Sequence, residues 1–244
     1  MARSTRQRCQ PCALLQILLG RFTLAWDSVW EEVFRRQAWG KYPSIDIVRF
    51  IARNFYHLED RKCIKILEVG CGPGANLWYI TREGFTVYGI DGSETAIAQA
   101  KERLNRECPG WAGELRIGDI ASLPYQDAFF DAVVDFEAIS CNSYNDSKTI
   151  YTELARVTKK GGKLFSQTFA TGCWGDRTGK KVGHNAWIVS EGPLLHKGYA
   201  RFTEYEEIKD LIGEFTISEI ELLTRTMNSR QHEVREWIII GEKK

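Results

Sequence analysis

An apolar run, Ile64 to Val69, that breaks into three alternate glycines, Gly70, Gly72 and Gly74, leaves this chain few ways to fold. The run reads as a short buried strand, and Ala75 to Thr81 is helix-compatible, so the glycines form a tight turn from a strand into a helix. Glycine there accepts positive φ and lets a ligand approach bare backbone. The first N–H groups of the helix have no partner within it and carry partial positive charge, which suits a carboxylate or a phosphate. Gly70, Gly72 and Ala75 also satisfy the permissive dinucleotide pattern G-x-G-x-x-G/A. At this point the turn fits a nicotinamide or flavin nucleotide as well as any other small ligand.

From Ile64 onward, strand and helix patterns alternate, as in a sheet covered by helices on both faces. Strands are expected at about 64–69, 85–90, 114–118, 130–136, 162–169, 215–223 and 234–241, with helices at about 75–83, 93–107 and 146–158. Gly161-Gly162 is expected to end the last of these helices and launch the fifth strand. Thr203, with Glu206 three residues on, predicts a capping box for a helix through Ile212. The last two strands are joined by a segment too short for a parallel crossover and predict an antiparallel pair. The fold class is therefore α/β, a doubly wound and mostly parallel seven-stranded sheet with an antiparallel C-terminal hairpin.

Three regions lie outside that alternation. Residues 1–25 read as a disordered N-terminal extension, in which Cys9 and Cys12 form an isolated CxxC and the apolar run Ala13 to Leu19 is too short to span a bilayer. Residues 26–60 read as a helical cap, one helix capped by Asp27 and a second starting after Pro43-Ser44; residues 61–244 form the core. Within the core, 170–201 shows no clear period, and a structureless stretch of that length on the ligand side of the sheet is expected to be a substrate-side lid.

Asp91, where the second strand ends, stands where an acidic side chain can accept hydrogen bonds from a ribose diol, with Gly92 and Ser93 beside it. The third strand ends at Gly118-Asp119-Ile120, and the fourth leads into Phe136-Glu137. Glu68 two residues before the first glycine, Pro73 in the turn, a third glycine at Gly74, and these acidic strand ends in order resemble the class I S-adenosylmethionine-dependent methyltransferases over about 64–170. The resemblance implies a Rossmann-like methyltransferase fold, S-adenosylmethionine as cofactor and S-adenosylhomocysteine as product. It also implies a cofactor site of Glu68, Gly70, Cys71, Gly72, Gly74, Asn76, Asp91, Gly92, Ser93, Asp119, Ile120 and Phe136, with Asp119 and Ile120 meeting the adenine.

A sulfonium is an activated electrophile, so the protein mainly has to align the acceptor and exclude water; a base is needed only where the acceptor carries a proton. Candidates for that base are Glu137, His184 and His196, and for acceptor contacts Tyr42, Asn142, Trp174 and Trp187. Ser140-Cys141-Asn142-Ser143 follows the fourth strand in place of an Asn-Pro-Pro-Tyr motif, and no Pro-Cys pair supplies a nucleophilic thiolate. With a formal net charge of +1 and no basic run, nothing calls for a nucleic-acid footprint. The expected acceptor is a small molecule such as a sugar or secondary metabolite, methylated on oxygen or nitrogen. A methyltransferase of protein or RNA, or a noncatalytic cofactor-binding module, is the alternative. No metal and no membrane partner is expected, and seven scattered cysteines suit a reducing, cytoplasmic setting.

Overall fold

The computed structural model describes residues 26–244. The expectations for 1–25 lie outside the described residues.

Seven strands form one sheet. β1 (Lys65–Val69) lies between β2 (Thr86–Asp91) and β4 (Phe130–Phe136); β3 (Gly113–Ile117) flanks β2, and β5 (Thr158–Phe169) follows β4. These five strands run parallel. β10 (His232–Lys243) pairs antiparallel with β5, and β9 (Phe215–Met227) closes that edge. Ile66, Leu67 and Val69 are fully buried because a central parallel strand is covered on both faces. One face packs on α2 (Ile45–Phe55), α3 (Ala75–Arg82) and α4 (Glu94–Glu107) through Phe50, Leu77 and Leu104. The other packs on α5 (Tyr144–Val157) and α6 (Tyr205–Ile212) through Ile150, Leu154 and Ile208.

The helix starts follow their side chains. Ser44, Ser93 and Ser143 each accept a backbone N–H of the helix that follows, from Asp46, Ala96 and Asp146. Two expectations shift. The capping box of α6 is Glu204 with Glu207, one residue later than Thr203 with Glu206. Thr203 is already engaged: its N–H donates to Phe169 O, its carbonyl accepts from Thr171 N, and its hydroxyl accepts from Arg201. Gly161-Gly162 does not end α5, which stops at Val157; β5 begins at once at Thr158, and Gly161 with φ +75° sits at an irregularity in the β4–β5 pairing.

The segment 170–201 is not structureless. It contains β6 (Lys180–Gly183), β7 (Ala186–Ile188) and β8 (Ala200–Arg201), a small antiparallel sheet. Trp187, Phe202, Val189 and Leu194 form its core against Phe169 and Val234 of the main sheet. The cap 26–60 is pinned from two sides. The backbone N–H of Ser44 donates to Asn76 on α3, while Glu31 of α1 (Val29–Arg36) accepts from Ser93 and from the hydroxyl and N–H of Thr95 at the start of α4.

Candidate active site

Going outward from β1, the chain runs to β2 and β3 on one side and to β4 and β5 on the other. The crevice at that reversal, beyond the strand C-termini, is where open α/β sheets bind ligands. The turn leaving β1 uses its glycines as the sequence demands. Gly70, Gly72 and Gly74 have φ of +61°, +50° and +78°, and a Cβ on Gly70 would stand 2.2 Å from that of Ala138. Asp91 fixes the turn from the next strand, accepting Gly72 N–H at 2.8 Å with one carboxylate oxygen and Ser93 N–H at 2.9 Å with the other.

A cavity of about 360 Å³ opens over this turn. The strand ends of the main sheet, the loops that follow them and the start of α3 give it Glu68, Gly70, Cys71, Gly72, Asn76, Asp91, Gly92, Ile120 and Phe136 of the expected cofactor residues. Three expected residues stay out of the lining. Gly74 packs against Ala100 at the start of α3, Ser93 caps α4 and donates to Glu31, and Asp119 accepts Ala121 N–H beneath the third loop. The cap adds Trp26, Trp30, Phe34, Trp39 and Tyr42; the segment after β7 adds Pro193, Leu194 and Lys197. Trp26 was not foreseen. Its indole lies so close to Gly92 that a Cβ there would come within 2.2 Å of Cδ1, so Gly92 is required for close approach of an aromatic ring.

The buried end of the cavity favours a cation. Glu68 accepts Asn76 Nδ2 on one carboxylate oxygen at 2.6 Å, while its Oε2 is buried without a hydrogen-bond partner. Burial, opposed in part by Asn76 and reinforced by Asp91 and Asp135, pushes the Glu68 carboxyl up to about 8. Asp91 is raised by burial, against the pull of the Ser93 and Gly72 N–H groups. Below them Asp135 accepts Ala138 and Ile139 N–H and the Ser166 hydroxyl, and burial pushes it up to about 6. A positive ligand group relieves this crowding of acids, whereas a pyrophosphate at the same turn adds to it.

The acceptor-side expectations divide. Tyr42, Glu137 and Asn142 line the cavity; His184, His196, Trp174 and Trp187 do not. His184 is exposed and bonds Glu207, outside the cleft. His196 is exposed, though its neighbour Lys197 reaches the lining. Trp174 stacks on His232 at 4.0 Å, and Trp187 is core of the small sheet. Packing engaged the tryptophans, and position in exposed turns left the histidines in solvent. Cys141 lines the cavity, but burial pushes its thiol up to about 12 and it remains protonated. Lys197 and Glu236, absent from the sequence expectations, carry no local signal: one lies in an irregular loop, the other in an ordinary edge-adjacent strand.

Residues 67–166 match the methyltransferase domain family. The chain is 35% identical over 123 residues to the 18S rRNA (guanine(1575)-N(7))-methyltransferase of Saccharomyces cerevisiae, covering 46% of this chain and 42% of that one. It is 32% identical over 120 residues to a malonyl-acyl-carrier protein O-methyltransferase of Erwinia pyrifoliae, covering 48% and 41%. The chain thus spans less than half the length of these curated relatives. Among solved structures, 1,6-didemethyltoxoflavin-N1-methyltransferase of Burkholderia thailandensis, with bound 1,6-didemethyltoxoflavin and S-adenosylhomocysteine, superposes with TM-score 0.61 at 14% identity over 82% of this chain and 77% of that one. The cyclase SpnF superposes with the same TM-score of 0.61 at 18% identity, over 81% and 80%. Fold likeness at these identities speaks for architecture alone. Sheet order, glycine turn and sequence match agree on a class I S-adenosylmethionine-dependent methyltransferase domain over residues 67–166.

Among the described residues, no helix is long and apolar enough to cross a membrane, and no group of three or more His, Cys, Asp or Glu side chains is placed to hold a metal ion.

Proposed function

We propose that this chain is a methyltransferase that binds S-adenosylmethionine in the cavity over the Gly70 turn and methylates an oxygen or nitrogen of a small molecule, of the kind represented by sugars and secondary metabolites. The observation that carries the reading is the buried, unpartnered Oε2 of Glu68 beside Asp91 at a strand–glycine–helix turn. A donor with an ammonium group and a ribose diol fits both acids. In this reading Glu68 and Asn76 hold the methionine end with the backbone of Gly70, Cys71 and Gly72. Asp91 holds the ribose, and Gly92, Ile120 and Phe136 flank the base with Trp26. Gly74 and Ser93 act by shaping the turn and the start of α4, and Asp119 by ordering the loop to Ile120.

The cofactor supplies a methyl group already activated on a sulfonium. The chain's own residues align the acceptor and exclude water, through the aromatic cap on one side and Leu194 with Lys197 on the other. An aromatic-lined, concave cavity of about 360 Å³ favours a small acceptor over a polymer. Calorimetry with S-adenosylmethionine and with NAD tests the cofactor, and release of S-adenosylhomocysteine on incubation with acceptors tests turnover. Binding of NAD in place of either nucleoside overturns the reading; binding without turnover on small molecules, protein or RNA leaves a noncatalytic module.

A further inference from the structure

At the acceptor end of the cavity, two carboxyl groups from distant parts of the chain meet. Glu137 follows β4 and lines the cavity; Glu236 lies on β10, opposite Phe169 of β5. Their side chains face each other, and Glu236 is only 5% exposed. Two acids within hydrogen-bond reach in a buried place share one proton, because the doubly ionised pair places like charges in contact. Burial first, and then Glu236, hold the Glu137 carboxyl well above the usual carboxylate range.

The backbone holds Glu137 in place for this. Its φ is +63°, a conformation unfavourable for a residue with a side chain, and its N–H donates to Gln167 O at 2.8 Å. The Cys141 thiol closes the same turn onto the Glu137 carbonyl. Besides Glu236, the charged and titratable groups facing Glu137 are Lys197 from the lid, Asp135 from β4, and the Cys141 and Cys173 thiols. Lys197 also lines the cavity, with its ammonium over the Trp39 ring at 5.0 Å. The ammonium of Lys197 offsets the single charge of the acid pair. Trp30, Phe34, Trp39, Phe136 and Phe169 supply flat apolar walls around them.

We propose that Glu137 is the catalytic residue that takes the acceptor's proton, that Glu236 is the positioning residue that shares it, and that the acceptor is a flat, uncharged molecule bearing a hydroxyl group. This rests on the methyl-transfer reading above. As the acceptor oxygen bonds to the methyl carbon, the carbon–sulfur pair stays with sulfur and neutralises the sulfonium. The hydroxyl proton passes to Glu137, and the proton Glu137 already held passes to Glu236. The pair goes from one negative charge to none, and the extra proton leaves to water when the product departs. A wholly structural pair would hold its proton but take none from the acceptor.

The test uses the full chain, Glu137→Gln and Glu236→Gln, with catechol, 2-naphthol and 7-hydroxycoumarin as acceptor probes. Carbon-13 NMR of the glutamate carboxyl carbons, without cofactor, is expected to show two resonances titrating far above the others, one of them Glu68; the other vanishes in Glu137→Gln and moves to lower pH in Glu236→Gln. With S-adenosylmethionine, at least one probe is expected to be methylated. Glu137→Gln then binds the cofactor as before but loses turnover by about 100-fold or more. Glu236→Gln loses about 10-fold, and the acid limb of its pH–rate profile moves up, because Glu137 no longer has a partner to stabilise the first ionisation. Ordinary titration of Glu137, no methylation of any probe by a chain that binds the cofactor, or full activity in Glu137→Gln overturns the inference. Loss of cofactor binding in the unaltered chain overturns the functional reading instead.

Discussion

One wall of the cleft is continuous chain, running from Glu68 through the glycine turn and α3 to Asp91 and Gly92. The opposite wall is gathered from Trp30 and Phe34 on α1, Glu137 and Asn142 after β4, Leu194 and Lys197 beyond β7, and Glu236 behind them on β10. The first wall is set by backbone conformation: positive φ at three glycines and N–H groups aimed at Asp91. The second is set by side-chain packing, with the core of a separate small sheet beneath it. A cofactor site needs the same backbone whatever the acceptor, whereas an acceptor site is free to be assembled from any elements that reach the crevice.

The largest effects are expected on the continuous wall. Gly72→Val places a β-branched residue at φ +50°, which costs about 1–2 kcal/mol in backbone strain and fills the turn. The protein stays folded by circular dichroism, and calorimetry detects no S-adenosylmethionine binding. Asp91→Ala removes the proposed ribose acceptor and frees Gly72 N–H; affinity falls about 100-fold or more. Normal binding by Asp91→Ala would break the assignment of that carboxylate.

On the gathered wall the corresponding change separates stability from cofactor binding. Phe202 is fully buried, packed on Trp187 and Phe169. Phe202→Ala is expected to cost about 3–5 kcal/mol of the small sheet's local stability. Hydrogen exchange rises over 180–201, while S-adenosylmethionine affinity changes only a few-fold. An equal loss of affinity would show that the two walls are one cooperative unit.

The same contrast governs how much was legible in the sequence. Lys65–Val69, the glycine turn and Asp91 carry their signals within a few residues, in period, glycine spacing and the acid at a strand end. Each strand of the main sheet was therefore legible, and only the bulge at Gly161 and the one-residue shift of the α6 cap depended on tertiary pairing. The acceptor side depends on which distant side chains the topology brings together. Glu137 was legible because it follows β4 directly; Glu236, one acid among alternating residues of an edge-adjacent strand, had nothing local to mark it. Trp174 and Trp187 misled because an aromatic in a loop looks the same whether it faces a cleft or forms a core.

Smaller effects come from the acids between the walls. Asp135 has a folded-state value of about 6, above its ordinary 3.8, so the folded chain holds that proton more tightly than the unfolded chain. Its contribution to stability is fully present below about pH 4 and is lost as pH rises through about 6, about 2–3 kcal/mol in all. Asparagine keeps an oxygen for Ala138 and Ile139 N–H and adds a donor toward Ser166. Denaturant titrations of Asp135→Asn are thus expected to lack the part of the pH 4–6 decline that the unaltered chain shows. The same decline in both proteins would place the titration elsewhere.

Glu68 gives the subtlest test of whether the continuous wall receives a cation. Its carboxyl, held up to about 8, is mostly protonated at neutral pH in the free chain. An ammonium brought beside Oε2 favours the ionised form, so cofactor binding near pH 7 releases close to one proton, and affinity strengthens as pH rises toward 8. Calorimetry in two buffers of different ionisation enthalpy measures that proton directly. Glu68→Gln still presents an oxygen to Asn76 but has no proton to give, so its binding enthalpy is the same in both buffers and its affinity is lower by about 10-fold. A buffer-independent enthalpy in the unaltered chain would mean that the positive end of the ligand lies away from Glu68, and that the acids of this wall serve to shape the turn.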